Sequence, residues 1–229
     1  MKVSVVIPCL NESETLSKAI GLANDFLKSL DCAGEVVLAD NGSTDDSREI
    51  AEGLGARVVR VPEKGYGNAL KGGIAGAAGD IIVMGDADGT YDFREARVLV
   101  DLVRNGADLA MGSRLRGKIE KGAMPLLHRY LGTPVLTMLI RILFLVNISD
   151  CNCGMRAFSK SSYARMGVRS GGMEFASEMI CRAARAKMKV AEHPISLARD
   201  IRNRQPHLHT WRDGWRHLKL ILACWVGAY

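Results

Sequence analysis

The first half of the chain alternates two patterns. Short β-rich apolar runs, "KVSVVIP" (2–8), "EVVLAD" (35–40), "ARVVRV" (56–61), "DIIVMGD" (80–86) and "ADLAMGS" (107–113), are separated by stretches of helical spacing at 13–29, 44–54, 66–78 and 93–105. That rhythm predicts successive βαβ units and a largely parallel sheet. Three small polar residues stand three positions ahead of an acid: Asn11 before Glu14, Ser43 before Asp46 and Asp92 before Glu95. Each pair predicts a capped helix start.

The second half is less regular. A Gly/Lys/Arg loop (113–124) leads into the apolar stretch "PVLTMLIRILFLVNI" (134–148), then strand-like "GMRAFS", a helix near 174–187 and a strand "KVAEHPI". A basic linker and an amphipathic helix from about 211 follow. There is no internal repeat. At 229 residues the pattern predicts one α/β domain, 1–210, with a terminal helix over 211–229.

Charge divides the chain. Residues 1–112 hold 11 Lys+Arg against 18 Asp+Glu, net −7, whereas residues 113–229 hold 20 against 7, net +13. A basic half of this strength points to phosphate, on a lipid, a nucleic acid or a small substrate. Aromatic residues make up only 6% and do not interleave with the basic ones, which argues against a single-strand nucleic-acid binder.

The six cysteines lack zinc-site spacing and are expected to be reduced thiols in the cytoplasm. The opening "MKVSVVIP" suits a first strand better than an export signal. The stretch 134–148 carries Arg141 and falls short of the ~20 residues that cross a bilayer, so it reads as a core helix or an interfacial one. The terminal stretch shares the interfacial character.

Polar chemistry gathers where parallel strands end, at "IPCLNE", "LADNGSTD" and "MGDADGTYD". In open α/β sheets ligands sit at those carboxyl ends. Acids at three neighbouring strand ends repel one another and call for a cation. Asp86 and Asp88, one residue apart on a loop, can share a hard divalent ion, Mg²⁺ or Mn²⁺, whose other ligands come from water and substrate phosphate. "KGYGNALKGG" (64–73) has neither P-loop nor dinucleotide spacing, and Gly65 and Gly67 suit a ligand or close packing equally.

P-x-x-N-E at 8–12, D-N-G-S-T-D at 40–45, "KGYGNALKGG", "GDADGTYD", "MGSR" (111–114), "CGMRAFSK" (153–160), "EFASEM" (174–179) and "PHLHTWRDGWRHLK" (206–219) together resemble glycosyltransferase family 2. The likeness is strongest to its polyprenyl-phosphate (dolichyl-phosphate) sugar synthases and runs nearly the whole chain. The resemblance implies a GT-A (Rossmann-like) α/β fold and inverting transfer from a nucleoside diphosphate sugar, UDP-glucose or GDP-mannose in type, with a divalent metal. The acceptor would be a polyprenyl phosphate at the cytoplasmic face of a membrane, with 211–229 lying in the membrane interface.

By the same resemblance, Pro8, Asn11, Glu12 and Asp40 line the nucleoside pocket, and Asp86 and Asp88 hold the metal on the diphosphate. Arg114 and Arg129 meet the acceptor phosphate. Arg202 and Arg204 lie in a loop that closes over the donor phosphates in relatives, although "DIRNRQP" departs from the usual Gly-Arg-Ser-Lys/Arg-like turn. A lipid phosphate, with a second pKa of ~6, is already ionised near neutrality and needs no strong base. A saccharide hydroxyl acceptor would need one, for which Glu178 is the candidate, though Glu174 and Glu178 also fit helix ion pairs with Arg182 and Arg185. A non-catalytic nucleotide- or nucleic-acid-binding module is the reading from another class.

Overall fold

The computed structural model describes residues 1–202 and 210–229. Seven strands form one sheet: β1 (Val3–Cys9), β2 (Gly34–Asp40), β3 (Arg57–Arg60), β4 (Ile81–Met84), β5 (Leu109–Ser113), β6 (Arg156–Ser159) and β7 (Val190–Pro194). Their order is β3-β2-β1-β4-β6-β5-β7. All pairings are parallel except those of β6, which runs antiparallel between β4 and β5. Helices are α1 (Ser13–Lys28), α2 (Ser47–Gly53), α3 (Tyr66–Gly76), α4 (Ala96–Arg104), α5 (Thr133–Phe144), α6 (Lys160–Met166), α7 (Phe175–Arg185) and α8 (Thr210–Val226).

Strands β1, β4 and β5 are buried along their whole length, as expected of a sheet covered on both faces. Alternation along β1 separates two cores. Val3, Val5 and Ile7 pack with α1, α2 and α4, while Val6 faces the core that includes α3, α5, α7 and α8. Helix α3 lies close to the sheet because a Cβ on Gly73 would stand 2.6 Å from Val6 Cγ1 and 2.8 Å from Ala39 Cβ.

Two of the expected helix caps are corrected. Asn11 and Ser43 cap nothing: Asn11, at φ +58°, accepts from the Thr44 N–H (2.7 Å), and its own N–H donates to Ser43 Oγ (3.0 Å). Both side chains spend their oxygens joining the β1 and β2 strand ends, so α2 starts only at Ser47. Asp92 does cap, accepting from the Arg94 N–H at the 3₁₀ turn Phe93–Glu95 that precedes α4.

The chain adds β2 and β3 on one side of β1 and β4 on the other, and the crevice lies at the carboxyl ends of these strands. The loop after β4 is pinned to α1, since Thr15 Oγ1 donates to the Ala87 carbonyl (2.8 Å) and Lys18 Nζ to that of Gly89 (3.2 Å).

Candidate active site

Two cavities open at this crevice and meet over the acids. One, of about 390 Å³, is lined by Pro8, Glu12, Asn41, Lys64, Gly65 and Tyr66, by Asp86 and Asp88, and by Arg202, Arg212 and Arg216. The other, of about 460 Å³, is lined by Thr90, Tyr91, Arg114, His128, Asn152 and His217 together with apolar Met124, Pro125, Leu136 and Leu197. Tyr66, Asp86, Asp88, Met173, Arg202 and Asp213 belong to both.

The acids are held individually. Asp86 Oδ1 accepts from the Tyr66 hydroxyl (2.9 Å), and Asp88 Oδ1 accepts from the Thr90 N–H (3.0 Å) and Oγ1 (2.7 Å). Antiparallel β6 brings a third element to the pair. Its register sets Met84 beside Arg156, and two residues further on Gly154 faces Asp86. A Cβ on Gly154 would lie 2.5 Å from Asp86 Oδ2. Burial, and then the charge on Asp88, push the Asp86 carboxyl up to about 7. Two carboxylates crowded to this degree are a poor arrangement for the empty protein and a good one for a bound cation.

Of the residues expected at the site, Pro8, Glu12, Asp86, Asp88 and Arg202 line the first cavity. Arg114 lines the second, with its fork closed on buried Asp150 (Nε–Oδ2 2.7 Å, Nη2–Oδ1 2.8 Å). Glu192 fixes Asp150 in turn, accepting from the Ser149 and Asp150 N–H groups.

Three expected residues sit elsewhere. Asn11 does not line the cavity, because its side chain is turned to the Thr44 N–H. Asp40 is buried at the end of β2 with Oδ1 on the Ser43 N–H (2.9 Å), and its neighbour Asn41 forms the wall. Arg129 lies over the Tyr130 ring at 5.4 Å, while His128 reaches the second cavity. His128 lies in a single π-helical turn, His128–Gly132, and lines that cavity with Gly132, Thr133 and Leu136. Arg204 lies outside the described residues.

Glu178 lines neither cavity. Fully buried, it accepts from the Arg169 and Ser170 N–H groups and from Arg182 Nε, the helix ion pair expected of it. Glu174 pairs instead with Arg216 of α8 (2.7 Å), because α8 packs directly on α7. Gly65 and Gly67 answer mainly to packing, for a Cβ there would stand 2.2 Å from the Gly171 carbonyl oxygen and 2.4 Å from that of Ser170. Arg156 is wholly internal, donating to the carbonyls of Cys151, Cys153 and Ala176.

Sequence reasoning overlooked Tyr66, Asn41, Lys64, Asp150 and the α8 residues Arg212, Asp213 and Arg216. The tyrosine stands inside the glycine-rich run already singled out, and Asp150 is an acid at the end of an apolar stretch, so both carried a local signal. Helix α8, expected as a separate interfacial segment, also forms cavity wall.

His217, on α8, is buried with Nδ1 2.7 Å from Ser177 Oγ, and burial holds its pKa down to about 4 against an ordinary 6.5. The unfolded chain therefore binds this proton more tightly. Its contribution to stability is full above pH 6.5 and is lost as pH falls to 4, by about 3 kcal/mol. Thermal unfolding between pH 7 and 4 should show a steeper decline for the native protein than for His217→Gln; parallel curves would contradict the assignment.

The sequence profile described as "Glycosyl transferase family 2" matches residues 4–167. The chain is 43% identical over 221 residues to the low-salt glycan biosynthesis hexosyltransferase Agl6 of Haloferax volcanii, covering 96% of this chain and 53% of that protein. It is 32% identical over 211 residues to glycosyltransferase AglD of the same organism, covering 85% of this chain and 33% of that one. The chain thus spans about half or less of these relatives. Among solved structures, glucosyl-3-phosphoglycerate synthase of Mycobacterium tuberculosis superposes with a TM-score of 0.72 at 22% identity, over 99% of this chain and 78% of that one, in a complex with Mn²⁺, UDP and phosphoglyceric acid. The same enzyme with Mn²⁺, UDP-glucose and phosphoglyceric acid superposes at 0.76. At that identity the likeness establishes the GT-A fold.

Proposed function

Since the chain belongs to glycosyl transferase family 2, we propose that it is a metal-dependent, inverting hexosyltransferase that carries sugar from a UDP- or GDP-sugar to a polyprenyl phosphate at the cytoplasmic face of a membrane. The observation that carries this reading is the meeting of two cavities over Asp86 and Asp88. A donor in one and an acceptor in the other would bring their reacting ends together beside the acids.

The donor set fits a hard divalent ion, Mg²⁺ or Mn²⁺. Among the described residues no group of three or more His, Cys, Asp or Glu is placed to hold a metal. A pair of carboxylates suits an ion that takes its remaining ligands from diphosphate and water. When bound, such an ion neutralises charge on the departing nucleoside diphosphate. Lys64, Arg202 and Arg216 line the same cavity and would share that anion. Asn41 and Pro8 form the wall offered to the nucleoside.

On the acceptor side, Asp150 aims Arg114, and the cavity continues into an apolar wall of Met124, Pro125 and Leu136. Phosphate beside a hydrocarbon chain matches that division of the lining. A phosphate nucleophile ionised near neutrality dispenses with a base, and Glu178, the base expected for a hydroxyl acceptor, lines neither cavity.

The helical segment around the acceptor cavity presents Leu131, Val135, Met138 and Ile142 to solvent, and α8 presents Trp211, Trp215 and Trp225. Trp211 is 82% exposed, and Lys219 Nζ lies 5.3 Å from the Trp215 ring centroid. Exposed apolar and aromatic residues with cations beside them suit a membrane interface. Among the described residues no helix is long and apolar enough to cross a membrane.

Labelled UDP-glucose and GDP-mannose, incubated with Mn²⁺ and polyprenyl phosphate in vesicles, should deliver label into the organic phase with one donor. Arg114→Gln should lower kcat/KM for the lipid phosphate by about 100-fold, in line with loss of a charged contact, while leaving nucleotide affinity unchanged. Label that passes only into water-soluble phosphorylated acceptors would refute the lipid assignment.

A further inference from the structure

Arg202 lies deep in the crevice, among acids. Its side chain is only 9% exposed and reaches three carboxylates. Nε and Nη2 close on Asp200 (2.9 and 2.6 Å), Nη1 donates to Glu12 (3.0 Å), and Nη2 stands 3.5 Å from Asp88 Oδ2. The other oxygen of Asp88 is held by Thr90. The guanidinium therefore already supplies positive charge to one member of the aspartate pair. The segment that carries it is tied to the same loop, for the Ala198 N–H donates to the Thr90 carbonyl (2.9 Å).

Two cations compete for one carboxylate. A divalent ion at Asp88 would meet an Arg202 charge a few ångströms away, in a partly buried place where charges are weakly screened. An arriving diphosphate changes the balance, because it offers the guanidinium a second anionic partner and brings the ligands that a two-carboxylate site lacks.

We propose that Arg202 is the site's internal counter-cation: it holds Asp88 against idle metal loading and releases it when the diphosphate arrives, so that metal and nucleotide bind with positive cooperativity. The proposal rests on the reading of Asp86 and Asp88 as metal ligands. Coupling of this kind is reciprocal, so the nucleotide must tighten metal binding by the factor by which metal tightens nucleotide binding.

Calorimetric titration of MnCl₂ into the native protein, Arg202→Gln and Arg202→Lys, each alone and with saturating UDP or GDP, tests it, with melting curves confirming that the variants are folded. Arg202→Gln should bind Mn²⁺ alone about tenfold more tightly than the native protein, and its enhancement by nucleotide should shrink by a similar factor. Arg202→Lys, which keeps the charge, should stay close to native in metal affinity. Unchanged or weaker Mn²⁺ binding by Arg202→Gln, alongside intact nucleotide-dependent binding in the native protein, would overturn the counter-cation role alone. Absence of Mn²⁺ binding from all three proteins, with or without nucleotide, would overturn the metal site and this proposal with it.

Discussion

Asp86→Asn and Asp88→Asn are each expected to lower hexosyl transfer by about 10³-fold, the scale on which loss of charge stabilisation at a leaving group is felt. Folding should survive both changes. In Asp86→Asn the amide oxygen can still accept from the Tyr66 hydroxyl, and the substitution removes one of two charges that repel each other in the metal-free protein. The sign of the stability effect follows from the Asp86 carboxyl, which burial and Asp88 raise from 3.8 to about 7. The folded state binds that proton more tightly than the unfolded chain, so the stability it contributes is present below pH 3.8 and lost as pH rises through 7. At pH 8 without metal, Asp86→Asn should melt higher than the native protein, and that advantage should shrink as the pH falls and vanish only below pH 3.8. Transfer assays with melting curves across that pH range check both halves; a variant that transfers normally would remove the aspartates from the chemistry.

Gly154→Ala carries the second large effect, although the residue bears no chemistry of its own. Its backbone is conformationally open to alanine, since it is absent from the positive-φ glycines. The conflict is purely steric: the added methyl would lie 2.5 Å from Asp86 Oδ2 and 3.3 Å from Tyr91 Cε2. The carboxylate must swing aside. A displacement of about 1 Å at a reacting centre costs on the order of 10²-fold, whereas the fold should lose only about 1–3 kcal/mol to the added methyl. Gly154→Ala is therefore expected to lose transfer activity by about 10²-fold and to bind Mn²⁺ with nucleotide more weakly, while remaining folded. Native activity in this variant would mean that Asp86 is not held where the structure places it.

Gly154 also marks the boundary of what the sequence makes legible. Strands β1 to β5 and helices α1 to α4 fall within a few residues of their expected positions, because apolar runs and helical spacing are local signals. Direction is not local. "GMRAFS" reads as a strand, but nothing in it says that β6 runs antiparallel between β4 and β5, the arrangement that sets Gly154 against Asp86. The acids at 86 and 88 are visible in the sequence as charges behind a buried strand, while their support, from Tyr66 on α3 and Thr90 on the loop, depends on contacts made in space. His128 and Arg129 illustrate a subtler limit: the sequence marks a basic loop, but only the folded chain shows which of the two neighbours faces the cavity. Asn11 followed the same logic, its capping chemistry diverted to Thr44 on the next strand's loop.

The proposed function stands on Asp86 and Asp88 holding a divalent ion completed by a nucleoside diphosphate sugar. Calorimetric titration of UDP-glucose and GDP-mannose into the native protein, in Mn²⁺ and then in EDTA, measures it directly, with the Asp86→Asn/Asp88→Asn double variant as reference. Saturable heat with one donor in Mn²⁺, abolished by EDTA and absent from the double variant, is the predicted result. Equal binding in EDTA, or undiminished binding by the double variant, would contradict it.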